Sequence, residues 1–428
     1  MRRRSTAVAV ALALAVPALA LPSAAAAGGP AGPAGRSAVV PPKAEIPGRE
    51  VLRVATYDVS LNRSAAGGLR ADLLAGDAQA RAVAEVVQRT RPDVLLLNEL
   101  DHDPEALRIF VEDYLGVPQG GAAAISYPYT FTDEVNTGVP SGLDLDGDGR
   151  VGGPGDALGF GAFPGQYGMA VLSRHPVVAD EVRTFRDFRW ADMPGARLPD
   201  DPGTPEPADF WSAEELEVVR LSSKSHWDVP VRVGERDVHL LASHPTPPTF
   251  DGPEDRNGLR NADEIRFWAD YISPARSGYV YDDEGGRGGL SGGELFVVAG
   301  DLNADPLDGD SVPGAVDQLL RAPRVNDAAV PESRGGLEQA LLQGGANLEH
   351  TASATTDTAD FSEPPGNLRV DYVLPRVGMR VTGSGVFWPV TDDPLFDLVG
   401  TFPFPTSDHR LVWVDATVPG AARRGPRG

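Results

Sequence analysis

Five apolar stretches in this sequence end in, or begin from, residues able to carry chemistry. Leu295-Phe296-Val297-Val298-Ala299 runs into Gly300-Asp301-Leu302-Asn303, and Leu95-Leu96-Leu97-Asn98 runs into Glu99. Val238 to Ser243 leads to His244, and Asp371 lies inside Arg369-Val370-Asp371-Tyr372-Val373-Leu374. Ser407-Asp408-His409-Arg410 precedes Leu411-Val412-Trp413-Val414. Asp301 and Asn303 share parity, so in an extended chain their side chains point the same way. Taken singly, each position has a structural explanation, since Asp and Asn after a strand commonly form turns or cap helices. Their joint occurrence is harder to dismiss. An isolated buried carboxylate is costly, so several at strand ends imply partners: a metal ion, a histidine or an arginine.

The elements that must position these residues are legible in the hydrophobic pattern. Val51 to Val59 is a β-favouring run, and residues 77–90 place Ala80, Val83, Val86 and Val87 at helical spacing, with Asp77 as N-cap. Pro92 stops that helix, and residues 93–98 form a short apolar strand. Strand, helix and strand between residues 51 and 98 imply a βαβ unit with a buried sheet. Further strands are expected at 168–173, 237–243, 295–299, 370–374, 379–387 and 411–416, with helices at 260–272 and 315–321. Long loops rich in Gly, Pro and Asp separate them at 118–165, 191–212, 273–293 and 350–367, and no internal repeat is present. The mixed order of elements predicts one layered α/β domain over residues 50–418, with a flexible tail at 419–428.

The ends of the chain are of different composition. Residues 1–27 carry Arg2, Arg3 and Arg4, an apolar stretch from Ala7 to Leu21, and small residues at Ser23 to Ala27, the layout of a cleaved secretory signal peptide. Pro17, Pro22 and Gly28-Gly29-Pro30 argue against a membrane anchor. Residues 28–49, rich in Ala, Gly and Pro, read as a disordered leader. Cysteine is absent, and a chain of 428 residues with 41% hydrophobic content has core enough to fold without disulfides. The formal charge is −23 and falls to about −26 without the three arginines. Such a surface repels polyanions at long range, so a nucleic acid substrate would need a local basic cleft or bridging cations.

The set Asp58, Glu99, His244, Gly300-Asp301-Leu302-Asn303, Asp371 and Ser407-Asp408-His409 resembles the endonuclease/exonuclease/phosphatase superfamily, in order and spacing, from about residue 51 to 416. The resemblance implies a four-layer α/β sandwich, two packed mixed β-sheets flanked by helices. It also implies roles. Glu99 would bind Mg²⁺ (or Mn²⁺), with Asp408 and Asp58 as further metal-facing carboxylates. Asp301 would orient or deprotonate the attacking water, and Asn303 would hold a phosphate oxygen or the same water. His409 would contact the phosphoryl group with its tautomer fixed by Asp371, and His244 would be a second phosphate-facing donor. Arg174, in Leu172-Ser173-Arg174-His175-Pro176, falls where some nuclease members carry a phosphate-contacting arginine. The first strand departs from the family's pattern, because Asp58 stands where Asn is usual, which puts the donor role of that position in doubt.

Asp144-Leu145-Asp146-Gly147-Asp148-Gly149 has the spacing of a calcium loop, but its twelfth position is Gly155, so a full EF-hand is not supported. A structural Ca²⁺ held by Asp144, Asp146 and Asp148 is the favoured reading over a plain acidic turn. The whole describes a secreted, monomeric, metal-dependent phosphoesterase. Its substrate is either DNA or RNA, with Arg256, Arg260 and Arg266 adding a local basic strip, or a small phosphodiester or phospholipid head group. A non-catalytic binding module on the same fold is the remaining alternative.

Overall fold

The computed structural model describes residues 40–421. The signal peptide read at 1–27 therefore lies outside the described residues, as do most of the leader and of the tail. Residues 40–49 lie against the start of the first strand, where Lys43 pairs with Asp93 and the Pro41 carbonyl accepts a hydrogen bond from Arg53 at 2.8 Å.

Thirteen strands occur among the described residues: β1 (Glu50–Leu61), β2 (Val94–Leu100), β3 (Tyr129–Phe131), β4 (Met169–Ser173), β5 (Arg183–Thr184), β6 (His226–Val233), β7 (Arg236–Ser243), β8 (Leu295–Asp301), β9 (Ala359–Asp360), β10 (Asn367–Leu368), β11 (Asp371–Pro375), β12 (Val381–Val386) and β13 (Val412–Val418). Six form one mixed sheet in the order β12-β13-β1-β2-β4-β3, and five form a second in the order β11-β8-β7-β6-β5. The remaining pair, β9 and β10, makes a small ribbon.

Alternation along the strands of the second sheet explains the layering. Leu240, Ala242, Val297 and Ala299 join a core with Val54, Leu95, Leu97 and Val414 of the first sheet. Their neighbours Leu241, Phe296 and Val298 point the other way, into a core with Ile265, Phe267 and Trp268 of the helix Arg256–Tyr271. The helix Ala78–Thr90 covers the first sheet with Ala80, Val83, Ala84 and Val87, and Asp77 caps it by accepting from Ala80 N at 2.7 Å. The result is the four-layer mixed α/β sandwich that the sequence implied.

The expected strands and all three expected helices are present, with ends shifted by a few residues. β6 escaped the sequence reading because Pro230 interrupts its run. A proline survives there because residue 230 faces the β5 side, where residues 176–178 bridge β6 through the Val178 N–H to the Pro230 carbonyl at 2.9 Å and the Arg232 N–H to the Pro176 carbonyl at 2.8 Å, bonds that ask for no donor from residue 230.

Two parallel pairs set the position of the site. β1 runs parallel to β2, and β7 runs parallel to β8, so each pair delivers its C-terminal end to one side. β11 is antiparallel to β8, and β13 to β1, so those strands begin where the parallel pairs finish. At this edge the chain turns through left-handed conformations at Ser60, Glu99 and Asn303, with φ of 48°, 54° and 50°. Non-glycine residues in that region each cost about 1–3 kcal/mol, and such strain gathers at functional sites.

Candidate active site

At this shared edge the structure brings together Asp58 from β1, Glu99 from β2, His244 just after β7, Asp301 at the end of β8, Asp371 at the start of β11, and His409 just before β13. The register Asp371↔Asp301 places two carboxylates side by side across neighbouring strands. Gly300 makes the adjacent approach of β7 possible, because a Cβ there would lie 1.9 Å from the Ser243 carbonyl oxygen.

His409 donates from Nδ1 to Asp371 Oδ2 at 2.9 Å, which leaves Nε2 turned toward Asp301 Oδ2 at 3.9 Å. Asp371 is held in turn by the Thr358 hydroxyl, which donates to the same oxygen at 2.8 Å. Ser407 Oγ accepts from His409 N at 3.0 Å and lies 3.0 Å from Ser60 Oγ, tying the His409 segment to the end of β1. The edge of Phe361 packs on the His409 ring, with centroids 5.3 Å apart.

His244 approaches Asp301 from the other side, with Nε2 3.4 Å from Asp301 Oδ2 and Nδ1 3.8 Å from Asp58 Oδ2. Both Asp58 Oδ2 and His244 Nδ1 are buried and lack a hydrogen-bond partner. Asp301 Oδ1 accepts from the Asn303 backbone N–H at 2.8 Å, while the Asn303 amide donates to the Pro245 carbonyl at 3.1 Å. The strand stops at Asp301, so equal parity does not govern Asn303. A left-handed turn aims it instead.

The electrostatics follow from burial and crowding. Burial pushes Asp301 up to about 7, against the facing His409 charge, and the neighbouring Asp371 carboxylate adds to the rise. Asp58 is raised well above the usual carboxylate range by burial and then by Glu99. Burial also raises Glu99, with Lys224 opposing. The two histidines diverge. Burial disfavours charge on His409, yet Asp371 and Asp301 outweigh it and hold its pKa well above the ordinary value. His244 is pushed well below by burial, then by the Lys224 and His409 charges. One imidazole is thus cationic and the other neutral, a division suited to acid–base work.

The donors also fit a divalent cation. Asp58, Glu99 and His244 each offer one ligand atom within 4.8 Å of the others, and so do Asp58, Asp301 and His409. The two sets share Asp58. The orphaned Asp58 Oδ2 and His244 Nδ1 are acceptor atoms that a cation would satisfy. Asp408 lies outside both sets; its charge raises Glu99, and its oxygen receives a long 3.5 Å contact from Ser407 Oγ.

The structure separates the arginines from the site. Arg174 follows β4, which is antiparallel to β2, so it pairs with Asp93 at the start of β2, the end opposite Glu99. Six residues of strand, roughly 20 Å, separate it from the site. Arg256 pairs with Glu254, Arg266 with Asp263, and Arg260 donates to the carbonyls of Leu158, Arg220, Leu221 and Ser222. The expected basic strip is therefore spent on structure. In the acidic loop, Asp144 and Asp146 cluster with Asp156, while Asp148 turns away to accept from Arg150 N at 2.8 Å. Asp156, one residue beyond the twelfth position, replaces Asp148 in the expected set.

Three residues at the site were not foreseen. Thr358 orients Asp371, and Asn62 donates to Glu99 Oε2 at 2.9 Å; both come from irregular chain with no periodicity to mark them. Lys224 is buried beside Glu99 and lines the same cavity. Its signal was compositional, because only Lys43 and Lys224 among 38 basic residues are lysine.

A comparison with curated proteins finds no match. Among solved structures, an endonuclease/exonuclease/phosphatase from Beutenbergia cavernae is similar at 19% identity and a TM-score of 0.48, covering 87% of this chain and 73% of that one. Sphingomyelinase C from Streptomyces griseocarneus is similar at 16% identity and 0.44, covering 86% and 99%. TDP2 from Caenorhabditis elegans follows at 15% and 0.40, covering 86% and 75%. The family model described as Endonuclease/Exonuclease/phosphatase matches residues 55–409, a span that holds every strand-end carboxylate and histidine described above. The chain belongs to the endonuclease/exonuclease/phosphatase family and is a metal-dependent phosphoesterase.

Proposed function

We propose that this protein is a secreted phosphodiesterase that uses Mg²⁺ or Mn²⁺ and acts on small phosphodiesters or phospholipid head groups. The observation that carries the hydrolytic reading is the Asp301 carboxylate, buried and faced from two sides by His244 at 3.4 Å and His409 at 3.9 Å. With a pKa of about 7, Asp301 is matched to taking a proton from water near neutrality.

Asp58, Glu99 and His244 would hold the cation, with Asp408 adding charge nearby; the bound ion neutralises phosphate oxygens and polarises the phosphorus centre. Asp301 orients the water and accepts its proton. His409, cationic and fixed by Asp371, donates to a phosphoryl oxygen as negative charge builds. Asn303, pinned by Pro245, has a second amide hydrogen to offer a phosphate oxygen. The small-diester reading is favoured over DNA or RNA because Arg174 lies at the far end of the sheet, and Arg256, Arg260 and Arg266 are already engaged. Secretion rests on the layout of residues 1–27 alone.

The test is an assay of the mature protein with Mg²⁺, Mn²⁺ or EDTA against bis(4-nitrophenyl) phosphate, 4-nitrophenyl phosphate, phospholipids, plasmid DNA and RNA. EDTA-sensitive turnover of small diesters or lipids with DNA and RNA untouched is expected. Cleavage of nucleic acid at comparable rates rejects the substrate assignment, and no EDTA-sensitive turnover rejects the hydrolase.

A further inference from the structure

We propose that Lys224 and the cavity beside it form the leaving-group subsite of this centre, built for a phosphodiester whose departing alcohol is apolar or aromatic. The inference rests on the phosphodiesterase reading above.

Lys224 is only 6% exposed, and its ammonium makes no hydrogen bond or close ion pair among the described residues, although the charges of Glu99, Glu264, Asp301 and Asp58 act on it. Those carboxylates balance its charge at a distance without accepting a hydrogen bond from it, so its three N–H donors stay free for an oxygen that arrives with a ligand. Its surroundings are rigid. The next residue back, Ser223, donates its N–H to Glu264 at 2.7 Å, and Thr246 N donates to the other oxygen of that carboxylate at 2.6 Å.

The cavity that Lys224 lines with Glu99 and Tyr167 has a volume of about 610 Å³, within the range of small-molecule sites. Its other walls are largely apolar: Leu158, Trp211, Pro247, and at the mouth Phe160 and Phe250, which are 66% and 86% exposed. Trp211 has its one donor committed to the Leu145 carbonyl at 3.0 Å, so the ring offers the cavity no N–H. The two arginines of the lining are engaged, Arg256 by Glu254 and Arg260 by backbone carbonyls. Lys224 is the one lining cation whose hydrogen-bond donors stay uncommitted among the described residues.

Direction assigns the group this cavity receives. The two sets of candidate ligands share Asp58, with Glu99 in one and Asp301 and His409 in the other, and His244 lying between them against both Asp58 and Asp301. Phosphoryl transfer places the attacking and leaving oxygens in line. Water held at Asp301 therefore expels the alcohol toward Glu99, Lys224 and the cavity. A bond forms from the water oxygen to phosphorus as the ester P–O bond breaks, and the electron pair leaves on the alcohol oxygen. Lys224 donates a hydrogen bond to that oxygen as its charge develops, Asp301 takes the proton of water, and the alkoxide is protonated from solvent.

The experiment is a leaving-group series: methyl 4-nitrophenyl, methyl phenyl and methyl benzyl phosphate, assayed with the metal-loaded enzyme and with Lys224→Gln. The loss in kcat/KM is expected to grow from about 10-fold for nitrophenol to about 10³-fold for the poorer leaving groups, as for removal of one donor to a developing oxyanion. Lys224→Arg should keep a profile close to that of the unsubstituted enzyme. A uniform loss across the series, or none, overturns the role of Lys224. For the cavity, Thr249→Trp narrows the wall, and the ratio of 2-naphthyl to phenyl methyl phosphate turnover, two alcohols of similar acidity, should fall 10-fold or more. An unchanged ratio overturns the cavity assignment. Absence of EDTA-sensitive turnover in the unsubstituted enzyme overturns the phosphodiesterase reading itself.

Discussion

Asp58 Oδ2 and His244 Nδ1 face each other across 3.8 Å, both buried and neither hydrogen bonded. If His244 donates from Nε2 to Asp301, Nδ1 turns a lone pair toward the Asp58 carboxylate, and two acceptors meet in a dry site. A cation between them, also reached by Glu99, removes that conflict. Asp58→Asn and His244→Gln should therefore each weaken Mn²⁺ binding by about 10-fold or more, read by calorimetry on metal-free protein. In Mn²⁺-loaded protein, pulsed EPR should show imidazole nitrogen coupling that disappears in His244→Gln. Coupling that survives there and is lost in His409→Gln would reassign the nitrogen ligand.

The same crowding makes the metal-free protein sensitive to pH. Asp301, held at about 7, binds its proton in the folded state where the unfolded chain has lost it. Stability therefore falls as pH rises from the ordinary carboxylate range, about 4, toward 7. His409 acts in the same direction: its folded pKa is raised, so its contribution is full below the unfolded value and is lost as pH rises through the folded one. His244, held well below its ordinary value, acts the opposite way up to about 6.5, so in EDTA the net decline in Tm is expected above that pH. Saturating Mn²⁺ should oppose the decline, because bound metal replaces the protons. Parallel Tm curves with EDTA and Mn²⁺ would contradict this.

Catalysis should separate the residues that touch the reaction from those that position them. Asp301→Ala and His409→Ala should each lower kcat by about 10²–10⁴-fold in protein that still folds, the range usual for a positioned acid or base. Thr358→Val removes the donor that holds Asp371 Oδ2 but leaves the His409–Asp371 bond. Its loss should be smaller, about 10-fold, with the pH dependence of kcat displaced, because the carboxylate that holds His409 has lost one of its donors. Full activity in Asp301→Ala would remove the water-positioning role.

Gly300 explains why the motif around Asp301 could be read in sequence while its neighbours could not. β8 is apolar on both faces because it lies between two cores, so its abrupt polar end was visible as a break in a hydrophobic run. Glu99, His244 and His409 were visible for the same reason. Thr358 and Asn62 reach their places through loops, where no period constrains the side chain, so sequence could not bring them in, whereas Asp156 stands in the sequence one residue past the position the loop spacing asks for. Arg174 misled because strand direction was unknown: a residue after β4 lies at the wrong end once β4 is antiparallel to β2. Gly300 itself is dictated by contact across strands. Gly300→Ala would set its Cβ 1.9 Å from the Ser243 carbonyl oxygen, a backbone atom that has no rotamer to escape into. A loss of about 2–4 kcal/mol in denaturant unfolding is expected, with metal binding impaired because His244 follows Ser243 directly. Wild-type stability in this variant would mean that β7 and β8 are not so closely apposed.

Arg174 provides the complementary test, since its place in the fold predicts indifference. Its guanidinium meets Asp93 at 3.2 Å with 44% of its side chain exposed, and Lys43 reaches the same carboxylate. Only the arginine end is exposed, and the buried Asp93 keeps Lys43 and the Arg53 N–H at 2.8 Å as partners, so loss of this one contact is worth less than about 1 kcal/mol. Arg174→Ala should leave kcat/KM for small diesters within about twofold and shift the unfolding free energy by less than about 1 kcal/mol. It should also leave the salt dependence of turnover unchanged, because no phosphate contact is lost. A loss of tenfold or more in kcat/KM, restored by Arg174→Lys, would mean that substrate extends along β2 to the far end of the sheet, and the nucleic acid reading would return.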